Sequence, residues 1–187
     1  MALHPNFDCE SLLLRMSARV SAIMSHRWET FSQKTVREMA CSIFGESADI
    51  SWVNSSFTTP EDEFATDGTV RLSLPTGFSL YFGKKIICLL HTDRWYRFLT
   101  NQESHGTFLE TSTWMAKLTG SEEIIIGHDD DRLMDLYYDD KGYEDFKQGA
   151  IRIWGPPDLE MNHIYSEEEM DRMPKNRGHY GVVKITN

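Results

Sequence analysis

Cysteine is scarce in this chain, and the three present (Cys9, Cys41 and Cys88) are far apart and odd in number. None forms a C-x-x-C pair, so neither a disulfide framework nor a cysteine zinc site is implied. Each sits among apolar neighbours, where free cysteine behaves as a small hydrophobe, and a reducing, cytoplasmic setting is the default expectation. No apolar run approaches the roughly 18 residues a membrane-spanning helix needs. Met1 to Ser11 carries Asp8 and Glu10 and lacks a basic-then-apolar leader pattern. No membrane association is therefore expected.

The motifs that announce common chemistry are also missing. There is no G-x-x-x-x-G-K-[ST] and no G-x-G-x-x-G, which disfavours P-loop and Rossmann nucleotide binding. There is no G-x-S-x-G elbow, no H-E-x-x-H, and no H-x-E followed by C-x-x-C. His105-Gly106-Thr107 is a single His-x-Thr where phosphoesterases built on that element need two. No cofactor is implied.

What the chain does have is enough apolar residue to fold and a strongly uneven charge. With 187 residues, 40% hydrophobic and 12% aromatic, it fits a single domain over 1–187 with a substantial core. From Asp129 to Asp171 there are 14 acidic and 4 basic residues, so this stretch carries the whole net charge of −10. Such a field repels phosphates and draws in cationic partners, which argues against direct nucleic-acid binding. The plain alternative is a solvated face that keeps the protein dispersed.

Periodicity predicts an α+β fold. Asp8 is placed to cap a first helix, with Leu13, Met16, Val20 and Ile23 at helical spacing, and Val36, Met39, Ala40 and Ile43 mark a second. An antiparallel meander is expected over about 48–90: Ile50 to Val53, Thr69 to Leu74, Phe78 to Phe82 after the turn Pro75-Thr76-Gly77, and Lys84 to Leu90. Thr92 to Thr100 reads as helical, with Trp95 and Phe98 inward. A longer helix over about Ser104 to Thr119 places Phe108, Met115 and Leu118 inward. Ile124-Ile125-Ile126 is a short buried strand. Asp130 to Tyr138 is a short helix, and Phe146 to Trp154 fits either helix or strand. Ser166 to Glu169 is a capping box, and Tyr180 to Ile185 a last, edge strand. Strands and helices in this order fit α+β better than a βαβ repeat.

Three chemical groupings merit weighing. Asp129-Asp130-Asp131 suggests a hard cation, but Leu133 and Met134 stand where an EF-hand would place a ligand and its glycine. A site assembled from His128, Asp129 and His163 stays open, against the commoner use of Asp at a helix start. Cys88, His91 and Asp93 form the one local grouping of triad type, although Cys88 sits inside an apolar run. Arg94-Trp95-Tyr96-Arg97-Phe98 could stack bases, but its helical phase turns Trp95 and Phe98 inward.

Aromatics accompany the acids. Asp130, Asp131, Asp135, Tyr137, Tyr138, Asp139, Asp140, Tyr143, Glu144, Asp145 and Trp154 together combine steering charges with anchors for a basic protein partner. The physical type is that of small acidic inhibitors, such as immunity proteins and antitoxins that cover a toxin or nucleic-acid-binding protein. Two other readings stand beside it. One is an enzyme using His91, Asp93, His128 and the nearby aspartates, and the other is a structural subunit that assembles through an apolar interface.

Overall fold

The computed structural model of the chain describes residues 18–27, 38, 41–42, 51–54, 70–73, 77–83, 85–139, 141–174 and 178–186; for 51–54, 70–73 and 138 it describes backbone only. Among the described residues seven strands form one antiparallel sheet: β1 (Arg19–Ser25), β2 (Ser51–Asn54), β3 (Val70–Ser73), β4 (Phe78–Phe82), β5 (Ile86–Arg94), β6 (Glu123–His128) and β7 (Tyr180–Lys184). Among the described residues five helices of six or more residues accompany it: α1 (Trp95–Thr100), α2 (Gln102–Thr119), α3 (Asp131–Asp139), α4 (Tyr143–Trp154) and α5 (Glu167–Arg172). The fold is α+β, as expected.

The strand order is β2-β3-β4-β5-β1-β6-β7. The meander is present as β2 to β5, each strand hydrogen-bonded to the next. β7 lies at the sheet edge, where the sequence places it. β5 runs four residues further than its apolar core, to Arg94, so the following helix begins only at Trp95.

β1 corrects the reading of the N-terminal region. Val20 and Ile23 belong to a strand, which inserts between β5 and β6 with antiparallel partners on both sides. A strand buried on both faces shows no polar alternation, and its apolar run then matches helical spacing as well as strand spacing. Val20, Ala22 and Met24 point to one face of the sheet and Ile23 to the other, all of them buried. The rest of that expected helix, and nearly all of the second one, lie outside the described residues.

Each face of the sheet carries its own apolar layer, because successive side chains of a strand alternate. On the first face Phe78, Leu80, Phe82, Ile87, Leu89, Ile124 and Ile126 meet Trp95 and Phe98 of α1, Phe108 and Met115 of α2, and Met170 of α5. On the second face Tyr81, Ile86, Cys88, Leu90 and Ile125 meet Leu133 and Tyr137 of α3 and Phe146, Ala150 and Trp154 of α4. The Phe146–Trp154 ambiguity resolves as helix: residues 146, 150 and 154 recur every fourth position on its buried side. Trp95 and Phe98 are core residues, so they are not a base-stacking surface.

Leu118 differs from expectation. The buried side of α2 runs through Ser104, Phe108, Ser112, Met115 and Thr119, which turns Trp114 and Leu118 toward solvent at 49% and 43% exposure. At α5 the capping box is complete. Ser166 Oγ accepts from the Glu169 N–H, and the Glu169 carboxylate accepts from the Ser166 N–H at 2.8 Å. Bonds from Ser166, followed by His163, hold the Glu169 carboxyl down at about 2. Ser166→Ala should weaken this helix by about 1 kcal/mol, measured as faster amide exchange at Glu169 and Met170 with no change in the strands.

Candidate functional site

The second apolar layer presents the acids. α3 runs with Leu133 and Tyr137 against the sheet, so its outer side carries Asp131, Asp135 and Asp139, one carboxylate per turn and all exposed. Asp139 accepts from Lys141 at 3.1 Å. Among the described residues Asp131, Asp135 and Asp145 form no ion pair. Glu144 and Asp145 stand exposed in the first turn of α4, where negative charge is favourable to the helix dipole. Asp140 and the Tyr138 side chain lie outside the described residues.

Other members of the expected interface are used internally. Tyr137 is 0% and Trp154 2% exposed, so neither is a surface anchor; both side chains fill the core because every fourth residue of their helices faces the sheet. Tyr143 is half-buried, and burial, then Glu123 and Glu144, push its phenol far above the usual tyrosine range. Asp130 is clasped by Arg132 through two contacts of 2.9 and 3.0 Å. Burial works to raise its carboxyl, but these bonds leave it below the usual range.

The acidic stretch also divides between two sides of the molecule. Glu167, Glu168, Glu169 and Asp171 sit on α5, whose Met170 packs into the first layer, on the opposite face of the sheet from α3 and α4. The contiguous acidic surface is therefore the shorter run from α3 into the start of α4.

Two of the candidate metal ligands are engaged within the chain. Asp129 receives the Arg19 N–H at 2.6 Å and Arg19 Nε at 2.8 Å, and His163 is bound to Glu169 at 3.0 Å. Among the described residues no three His, Cys, Asp or Glu side chains come together in a way that would hold a metal ion.

The triad-type grouping separates for a topological reason. Cys88 and His91 are three residues apart on one strand and so project to opposite faces. Cys88 is fully buried in the second layer, where desolvation drives its thiol far above the ordinary value. His91 lies on the first face, its ring 4.3 Å from that of Phe78. Asp93 accepts a hydrogen bond from Ser104 Oγ and another from Arg97 at 3.3 Å, and its own N–H donates to His91 Nδ1 at 3.1 Å. A nucleophile relay needs the imidazole between hydroxyl and carboxylate. Here the carboxylate accepts the serine hydroxyl hydrogen bond directly, an arrangement that ties the end of β5 to the first turn of α2.

His128, at the end of β6, lies between the two layers, with its ring 4.6 Å from Trp154 and 6.2 Å from Trp95. Burial lowers its pKa from 6.5 to about 4, against the opposing pull of Asp130 and Asp129. An open cleft of about 580 Å³ lies beside the start of α4, with Arg27, Glu122, Glu123, Tyr143, Glu144 and Lys184 in its wall. Its charges are mixed, and Glu122 and Glu123 already hold Arg27 and Lys147. Sequence reasoning did not find this cleft, since its wall is assembled from strand ends and helix starts far apart in the chain.

No protein-family model, curated protein or solved structure matches the chain. Among the described residues no helix is long and apolar enough to cross a membrane.

Proposed function

We propose that the chain is a non-enzymatic binding protein that covers a basic surface on a macromolecular partner, such as a toxin or a nucleic-acid-binding protein, in the cytoplasm. The observation that carries this reading is the row Asp131, Asp135 and Asp139, continued by Glu144 and Asp145. Helical rise sets successive carboxylates of the row about 6 Å apart, on a rigid element packed against the sheet. Asp131, Asp135 and Asp145, which have no internal cation among the described residues, keep their full field for an incoming partner, which raises the association rate and selects for positive charge. With Tyr137 and Trp154 buried, affinity on this face rests on charge and on the rims of Tyr143 and the neighbouring helix surfaces, so it is strongly dependent on ionic strength.

The alternative, an enzyme using His91, Asp93, His128 and the nearby aspartates, keeps one contact, His91 Nδ1 3.6 Å from Asp93 Oδ2, while His128 stands at the end of another strand against Trp154. The test is charge reversal. The triple variant Asp131→Lys/Asp135→Lys/Asp139→Lys should keep its melting temperature and lose at least about tenfold in affinity for a basic partner captured from the source cells. Unchanged affinity in a folded triple variant would remove this face as the interface.

A further inference from the structure

The outer side of α2 is a second surface, on the opposite face of the sheet from the acidic row. Trp114 and Leu118 stand side by side there, one helical turn apart and close to half exposed. Together they form a small apolar patch that gains free energy when another surface covers it. Glu110 lies one turn before Trp114 and Lys117 three residues after it, on the same side of the helix and exposed. Among the described residues neither forms an ion pair.

We propose that this face binds a second copy of the chain, with the two α2 helices antiparallel and Trp114 meeting its counterpart at the two-fold axis. The charge pattern selects both occupant and orientation. Along a helix with 1.5 Å rise, Glu110 lies about 6 Å to one side of Trp114 and Lys117 about 4.5 Å to the other. Antiparallel pairing about Trp114 therefore brings each Glu110 within about 1.5 Å, along the axis, of the other copy's Lys117. Parallel pairing would oppose Glu110 to Glu110 and Lys117 to Lys117. A surface whose two charges exchange partners under a two-fold rotation is self-complementary, which is the requirement of an isologous dimer. Leu118 of each copy then flanks the opposite tryptophan on the side away from the Glu110–Lys117 pairs.

One helix face is a small interface, so the dimer is weak and depends on concentration. It leaves the α3 and α4 acids of both copies pointing outward. This inference is independent of the proposed function, and the acidic-row variant should leave the dimer intact.

Sedimentation equilibrium of the full chain, from about 10 μM to about 1 mM, tests the proposal, since that range brackets weak association. The wild type should pass from monomer to dimer. Trp114→Gln should raise the dissociation constant at least tenfold. Glu110→Lys and Lys117→Glu should each raise it roughly tenfold by placing like charges opposite one another. The double variant Glu110→Lys/Lys117→Glu should return to near the wild-type value, because the pairs re-form with reversed sign. All three substituted positions are exposed, and far-UV circular dichroism verifies folding. A wild type that is monomeric throughout, or a dimer indifferent to Trp114→Gln, would overturn the interface. Failure of the double variant to recover would overturn the antiparallel arrangement.

Discussion

Trp154→Ala should destabilise the protein by about 3–5 kcal/mol, the cost of removing a large aromatic from a packed core. For a chain of this length that lowers Tm by roughly 6–20 °C. The ring stacks on His128 and lies 5.8 Å from Tyr180, and Gly127 and Gly178 press against it. A Cβ on Gly178 would overlap the indole itself, so Gly178→Ala should cost about 1–3 kcal/mol by overpacking the same spot. Urea unfolding of both variants measures the effect. The result also bears on function, because a surface anchor would lose partner affinity on truncation and keep its stability. A Trp154→Ala loss below about 1 kcal/mol would place the ring outside the core and reopen its role as an anchor.

Acidification should weaken the fold through His128. Its pKa is lowered from 6.5 to about 4, mainly by burial. Between those values the unfolded chain takes up a proton that the native protein resists, so stability rises with pH across the interval. The contribution is complete above about pH 6.5, declines progressively below it, and is gone below about pH 4. A shift of this size corresponds to about 3 kcal/mol. Asp130 and Glu169, both held below their ordinary values, add losses of the same sign at lower pH. Urea unfolding at intervals from pH 4 to 7.5 should show the slope. His128→Phe, which keeps a ring between Trp95 and Trp154 but cannot be protonated, should remove it. Equal slopes in the two proteins would mean that His128 is not the group responsible.

Much of the fold is legible in the order of residues, and the parts that are not share a cause. β4, β5 and β6 carry dense apolar runs bounded by glycine or charge, and α2 and α5 carry their own caps, so local chemistry specifies them. β1 does not announce itself, because Arg19–Ser25 acquires its meaning only from β5 and β6 on either side. The site divides in the same way. The spacing of Asp131, Asp135 and Asp139 on one side of a helix follows from their positions in the sequence. That Tyr137 and Trp154 turn inward follows from where α3 and α4 rest on the sheet, and that α5 carries its glutamates to the other face follows from the path of the chain between α4 and α5. The likeness of Cys88, His91 and Asp93 to a triad is proximity along a strand, which places residues 88 and 91 on opposite faces.

The salt dependence of binding tests the central claim most directly. A basic partner recovered with the tagged chain at low ionic strength would be titrated against the wild type and the Asp131→Lys/Asp135→Lys/Asp139→Lys variant over a series of salt concentrations. If α3 supplies the attracting field, wild-type affinity falls steeply as salt rises, while the variant binds at least about tenfold more weakly at low salt and with a much shallower slope. Two superimposable titrations would contradict the account, and would leave the acidic row as a solvated surface with no part in recognition.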